Sequence, residues 1–209
     1  MTEFDPDCRR CPRLAAFLDE GRARHPEYRC APVAPFGDAH TQLLIVGLAP
    51  GFHGANATGR PFTGDYAGVL LYETLYAFGW ASVSVSVSCD DGLALRGCRI
   101  TNAVKCVPPA NKPTPAEIAT CNEFLRAELD ALEPRTVVLA LGAIAHAAVL
   151  RARGLRAAAY RFGHAAEHRL PDGRRLIDSY HCSRYNTQTR RLTPEMFRAV
   201  VGRASELAR

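Results

Sequence analysis

The sequence predicts an α/β fold in which a short parallel sheet lies between helical layers. Three observations predict it. Four apolar runs, at residues 42–47, 99–104, 136–141 and 175–180, alternate with segments of helical period. The run at 136–141 is continuously apolar, the pattern of a strand buried on both faces. Each run also ends in a polar or glycine-rich connection, and these loops should gather on one edge of the sheet, where α/β proteins place their chemistry.

In chain order, Leu14, Phe17 and Leu18 fit a short helix ending near Gly21. Residues 25–40, broken by prolines, read as irregular. After the first strand, Leu70, Leu71, Leu75 and Phe78 recur at helical spacing and predict a helix over 66–78, stopped by Gly79 and capped by Thr63 or Asp65. Val83, Val85 and Val87 alternate with serines ahead of Asp90-Asp91-Gly92, the signature of a peripheral hairpin. Thr114, Pro115 and Glu117 predict a helix start with a capping box, running to about residue 132. Gly142 turns the third strand into a helix over 143–153, residues 154–173 hold a hairpin, and a last helix covers 193–207.

With 209 residues and 47% hydrophobic content, one domain with a substantial core is expected over 1–209. There is no apolar stretch long enough to span a bilayer, and the first ten residues lack the apolar segment of a signal peptide, so a cytoplasmic location without membrane contact is expected. A net charge of +5 points mildly to a polyanionic partner. Only two of the 26 basic residues are lysines, Lys105 and Lys112, and both lie in one short window beside Cys106.

Gly47-Leu48-Ala49-Pro50-Gly51, where the first strand hands over to a helix, is neither a Walker loop nor a dinucleotide fingerprint. Its glycines admit a close ligand and its proline stiffens it, as a grip on a flat ring requires. Eight cysteines are many for a cytosolic chain. Cys8-x-x-Cys11 precedes the first strand, which argues against a thioredoxin-type pair, while Cys106 and Cys121 are 15 apart. Four such thiolates suit Zn²⁺ or a [4Fe–4S] cluster.

Together Cys8-x-x-Cys11, the Gly47–Gly51 loop, Gly59-Arg60-Pro61-Phe62-Thr63-Gly64-Asp65, Thr101-Asn102-Ala103-Val104-Lys105-Cys106, Asn111-Lys112-Pro113, Cys121 and His181-x-Ser183-Arg184 resemble the iron–sulfur uracil-DNA glycosylases, the branch called family 5 or B-type. The resemblance spans nearly the whole chain. It implies a three-layer α/β/α sandwich with a four-stranded parallel central sheet. It also implies a [4Fe–4S] cluster on Cys8, Cys11, Cys106 and Cys121, completed by residues 1–24 packing on the domain. The implied partner is DNA containing uracil or other deaminated bases such as hypoxanthine; a monomer is expected, and since no lysine sits on the base-recognition motifs, Schiff-base lyase chemistry is not expected.

A glycosylase must extrude its base before it can reach the glycosidic bond. Phe62, inside a Gly/Pro loop, is the expected stacking residue, with Gly47, Ala49, Gly51 and His53 around the base. Asn102, an amide at a strand end, can donate to and accept from a uracil edge, and the resemblance assigns it base recognition with a direct share in catalysis. By resemblance, His181 donates to the base oxygen that gains charge on departure. Asp65, the nearest carboxylate, could orient water or stabilise an oxocarbenium-like sugar, or simply cap a helix. Leu48 stands where related families carry a polar or acidic residue, and Cys182 where a proline or small aliphatic residue is expected. Ser183, Arg184, Tyr185 and Asn186 should enter the minor groove, and Lys105 and Lys112 should meet phosphates. A non-catalytic cluster-bearing binding module and a zinc-stabilised nucleotide hydrolase are the competing readings.

Overall fold

The computed structural model describes residues 4–209. Its sheet has six strands: β1 (Phe36–Gly37), β2 (Leu43–Gly47), β3 (Cys98–Asn102), β4 (Val137–Leu141), β5 (Glu167–Arg169) and β6 (Arg175–Ser179), in the order β1-β3-β2-β4-β6-β5. The four inner strands are mutually parallel and are the four apolar runs. β1 and β5 join antiparallel at the two edges, so the sheet is mixed and wider than the four-stranded one expected. Neither edge strand carries a hydrophobic pattern. β1 is two residues long and β5 three, each joined by ladder hydrogen bonds, with Phe36 also packing against the core.

Among the described residues seven α-helices accompany the sheet: α1 (Pro12–Arg24), α2 (Ala55–Thr58), α3 (Tyr66–Ala77), α4 (Pro115–Asp130), α5 (Ala143–Ala152), α6 (Arg184–Gln188) and α7 (Pro194–Ala208). Successive strand side chains point to opposite faces, and this divides the core. Leu43, Ile45 and Leu139 pack with Leu71 and Leu75 of α3 and Phe197 and Val201 of α7. Leu44, Val46, Val138 and Ala140 pack with Leu125 and Leu129 of α4 and Val149 of α5. The result is the three-layer sandwich, with each buried aliphatic side chain contributing roughly 1.5–3 kcal/mol. α1 makes a third cluster, in which Leu14 and Leu18 meet Val104 and Phe124; of the segment 1–24, residues 1–3 lie outside the described residues.

Helix starts follow the local chemistry. Thr114 accepts from the Glu117 amide while the Glu117 carboxylate accepts from the Thr114 amide, the reciprocal box the sequence predicts. Asp65 caps α3 by accepting from the Gly68 amide. α1 runs three residues past Gly21, which packs against Phe52 and Cys30 in place of ending the helix.

The valine–serine segment is not a strand. Among the described residues it contributes only an isolated bridge between Ala81 and Leu95. The polar partners point inward and the valines outward: Ser86 bonds Arg60 and Thr63, and the buried Arg60–Asp91 ion pair at 2.6 Å pins the loop. No helix among the described residues is long and apolar enough to cross a membrane.

Candidate active site

The C-terminal ends of β2, β3 and β6 bring the expected residues to one cavity of about 470 Å³, whose lining includes Ala49, Gly51, Phe62, Asp65, Asn102 and His181. Gly47 and Asn102 are register partners across β2 and β3. Asn102 is buried, and its side-chain oxygen has no hydrogen-bond partner in the protein. An orphaned buried acceptor is costly unless something donates to it, so this atom marks where a ligand N–H is wanted.

Phe62 is buried with a left-handed backbone (φ 55°), and its ring stacks on His181 with centroids 5.8 Å apart and planes 27° from parallel. Two glycines make this wall possible. A Cβ at Gly47 would lie 2.7 Å from the ring, and one at Gly68 would lie 1.8 Å from the Phe62 carbonyl oxygen. Tyr72 fixes the turn from below by donating to the Pro61 carbonyl at 2.8 Å.

Asp65 proves to be both a cap and a cavity residue. Its Oδ1 accepts from the Gly68 amide at 3.0 Å, while Oδ2 faces the bare backbones of Gly51 and Gly54. Burial raises its pKa above the usual aspartate value, against the two backbone hydrogen bonds that lower it. Leu48 lines the same cavity and supplies no acid.

His181 follows β6. Part of its surface opens to the cavity, yet the ring is desolvated by its surroundings, and burial pushes its pKa down to about 4. It is therefore a neutral imidazole at physiological pH, able to donate one hydrogen bond without carrying charge. Asn186 turns back and donates to the His181 carbonyl at 2.8 Å, so its amide braces the histidine and is spent before any DNA arrives. Ser183 caps α6 and lines the cavity beside Arg184 and Tyr185, both exposed at its mouth. The Arg184 guanidinium lies 5.5 Å from the Tyr66 ring centroid.

Two expected contacts are corrected. Lys105 is 1% exposed; its ammonium donates to Thr101 Oγ1 and, at 2.9 Å, to the Asn102 carbonyl, and it pairs with Glu128 at 2.6 Å. It cannot reach a phosphate, and it stiffens the strand end that carries Asn102. His53 is exposed and outside the cavity lining, because its ring bonds the Tyr28 hydroxyl at 2.8 Å within a surface aromatic group. Lys112 remains exposed. Three lining residues, Ala55, Ala67 and Asn111, were not expected, and of these Asn111 is the polar one; it comes from a short 3-10 turn in which both Ala110 and Asn111 have positive φ. The Asn111-Lys112-Pro113 run was visible in the sequence, but the strained turn that swings the asparagine inward was not.

Cys8, Cys11, Cys106 and Cys121 surround a second, much smaller cavity walled by Leu14, Ala15 and Phe124. The Lys105 amide donates to Cys121 Sγ at 3.2 Å, and Arg13 forks onto Glu117 (2.7 and 2.8 Å) and reaches the Lys112 carbonyl. Four thiols from three elements, converging in an apolar shell with a backbone N–H aimed at one sulfur, fit the donor set of an iron–sulfur group. The segment between Cys106 and Cys121 is the one that carries Asn111.

The chain is similar to known proteins over most of its length. The profile of the Uracil DNA glycosylase superfamily matches residues 34–204. A Type-5 uracil-DNA glycosylase of Thermus thermophilus is 49% identical over 206 residues, covering 96% of this chain and 94% of the relative. Proteins of the same description are 42% identical in Pyrobaculum aerophilum, covering 95% of this chain and 88% of the relative, and in Mycobacterium bovis, covering 96% and 78%.

Proposed function

The chain belongs to the uracil DNA glycosylase superfamily, and we propose that it extrudes uracil from DNA and hydrolyses its N-glycosidic bond, leaving an abasic site. The observation that carries this is the meeting of Asn102, with its orphaned acceptor, and the Phe62–His181 ring pair around one cavity. An extruded base stacks on Phe62. Its ring N–H donates to Asn102, and the neutral His181 imidazole donates to the carbonyl oxygen where charge gathers as the base departs. Because His181 stays neutral, it stabilises the leaving group by hydrogen bonding and does not deliver a proton. The Asp65 carboxylate, held on the sugar side by Gly51 and Gly54, stabilises the positive sugar and orients the attacking water.

The cavity's size supports acceptance of bicyclic bases such as hypoxanthine as well as uracil. No lysine lines it, and the amine of Lys105 is locked in a buried ion pair, which supports a monofunctional enzyme without Schiff-base chemistry. Exposed Lys112 and Arg184 flank the mouth and would meet phosphates, with Tyr185 filling the vacated base position.

Cys8, Cys11, Cys106 and Cys121 would hold a [4Fe–4S] cluster that braces residues 106–121 and supplies no step of the reaction. Purified protein should contain about four irons per chain with matching sulfide; zinc without sulfide would overturn this assignment. Incubation with a uracil-containing oligonucleotide should leave an alkali-labile site, and an intact strand after prolonged incubation would reject the catalytic reading.

A further inference from the structure

Beneath β6, away from the cavity, lies a buried group that the chemistry above does not use. Asp178, fully buried, accepts from His146 on α5 through Oδ1 at 2.8 Å and faces His168 Nε2 on β5 through Oδ2 at 3.2 Å. The ligand-type atoms of the three residues lie within 4.8 Å of one another, a spacing that would also suit a divalent ion. The other nitrogen of His146, however, sits 2.9 Å from the Tyr160 carbonyl oxygen. The Tyr160 carbonyl and an ionised Asp178 carboxylate can only accept, so with Asp178 ionised both ring nitrogens carry protons and neither offers a lone pair to a metal. His146 is an imidazolium paired with a buried carboxylate. Burial opposes that charge, and the hydrogen bond and charge of Asp178 outweigh it, lifting the histidine above its ordinary pKa. The titratable groups that face it are Asp178 on β6, His168 on β5 and Tyr160 from the connection between α5 and β5.

That connection is what the pair holds. Asp178 Oδ2 also accepts from the Gly163 amide, and the backbone of Asp178 exchanges hydrogen bonds with Ala165 and Ala166. The strapped segment then presents His164, whose ring stacks on Tyr180 at 5.1 Å and whose Nδ1 accepts from the Tyr180 amide at 3.3 Å. Tyr180 is the residue before His181.

We propose that the His146–Asp178 ion pair is a positioning device for His181: the imidazolium ties the 160–166 segment to β6, and through His164 and Tyr180 that segment fixes where the His181 ring stands. Neither residue touches substrate, and the proposal rests on His181 serving uracil release as described above. Stability and alignment from this pair are fully present while His146 is protonated and are lost as pH rises through its raised folded pKa.

The experiment uses the full-length protein with its iron. Nitrogen-15 NMR of labelled histidine should show both His146 ring nitrogens protonated at neutral pH, with a titration midpoint above that of an exposed histidine. The single-turnover rate of uracil release should fall on the alkaline side with the same midpoint. His146→Gln should abolish that limb and lower kcat on the order of tenfold to a hundredfold, the penalty for misplacing a catalytic group, with KM and iron content unchanged. A neutral His146 at pH 7, stoichiometric zinc lost with H146Q, or an H146Q enzyme with the wild-type rate and profile would overturn the proposal. Should H146Q not fold, wild-type midpoints by NMR and by rate that fail to coincide overturn it alone. Absence of uracil release from the wild type would reject the functional reading, whereas the NMR result bears on the ion pair alone.

Discussion

The side-chain oxygen of Asn102 rests on the bare Cα of Gly47: a Cβ built on that glycine would lie 2.4 Å from it and 2.7 Å from the Phe62 ring. Gly47 has an ordinary φ and is required for space, not for turning. Gly47→Ala should therefore fold but displace both the base-reading amide and the stacking ring, with uracil release falling on the order of a hundredfold. Circular dichroism paired with single-turnover kinetics tests this; an alanine enzyme of wild-type rate would mean that the close contact has no role.

On the proposed mechanism, His181→Ala removes the donor to the departing base. The expected loss is about a hundredfold to a thousandfold in kcat, with DNA affinity nearly unchanged, as for other groups that act on developing charge. With its pKa near 4, His181 should contribute no step to the wild-type rate profile around neutrality. A rate step near pH 6.5 that disappears in H181A would contradict the assignment of a neutral donor.

For Asp65 the sign works in opposite directions for activity and stability. The carboxylate is the working form, so activity should fall as pH drops through a pKa raised by burial, and that acid limb should vanish in the slower Asp65→Asn enzyme. A folded pKa above the unfolded one means that the charged form costs stability as pH rises. Asparagine caps a helix about as well, so D65N should melt higher than wild type at pH 7. A lower melting temperature would show that the charge itself holds the loop.

Lys105→Met separates the buried lysine from any DNA role. It strands Glu128 without its partner, and breaking a buried pair costs about 3–5 kcal/mol. Denaturant unfolding should register this loss, while the salt dependence of DNA binding keeps its slope. A shallower slope would return Lys105 to the phosphate interface. Arg184→Ala should do the reverse, leaving stability intact and reducing the slope.

Most of the sheet was legible because its inner strands are apolar runs punctuated by glycine and proline. What sequence could not reveal had no side-chain signal. β1 and β5 are two and three residues long, too short to show a period of side-chain burial. Val83, Val85 and Val87 mimic a strand, but they stay exposed while Ser86 turns inward to Arg60 and Thr63, so the period of two buries no apolar face. A lysine beside Cys106 looks like a surface charge until Glu128, 23 residues on, is seen to meet it. Asn111 was visible as part of a run of residues, yet only the two consecutive left-handed residues bring it to the cavity.

The positive φ of Phe62 sets the endurance of the fold against its chemistry. The backbone there favours glycine or asparagine, and holding an aromatic residue in that conformation costs on the order of 1–3 kcal/mol. Selection for heat resistance alone would relieve that strain by exchanging the ring for a residue that suits the turn, and the gain would be taken from base stacking.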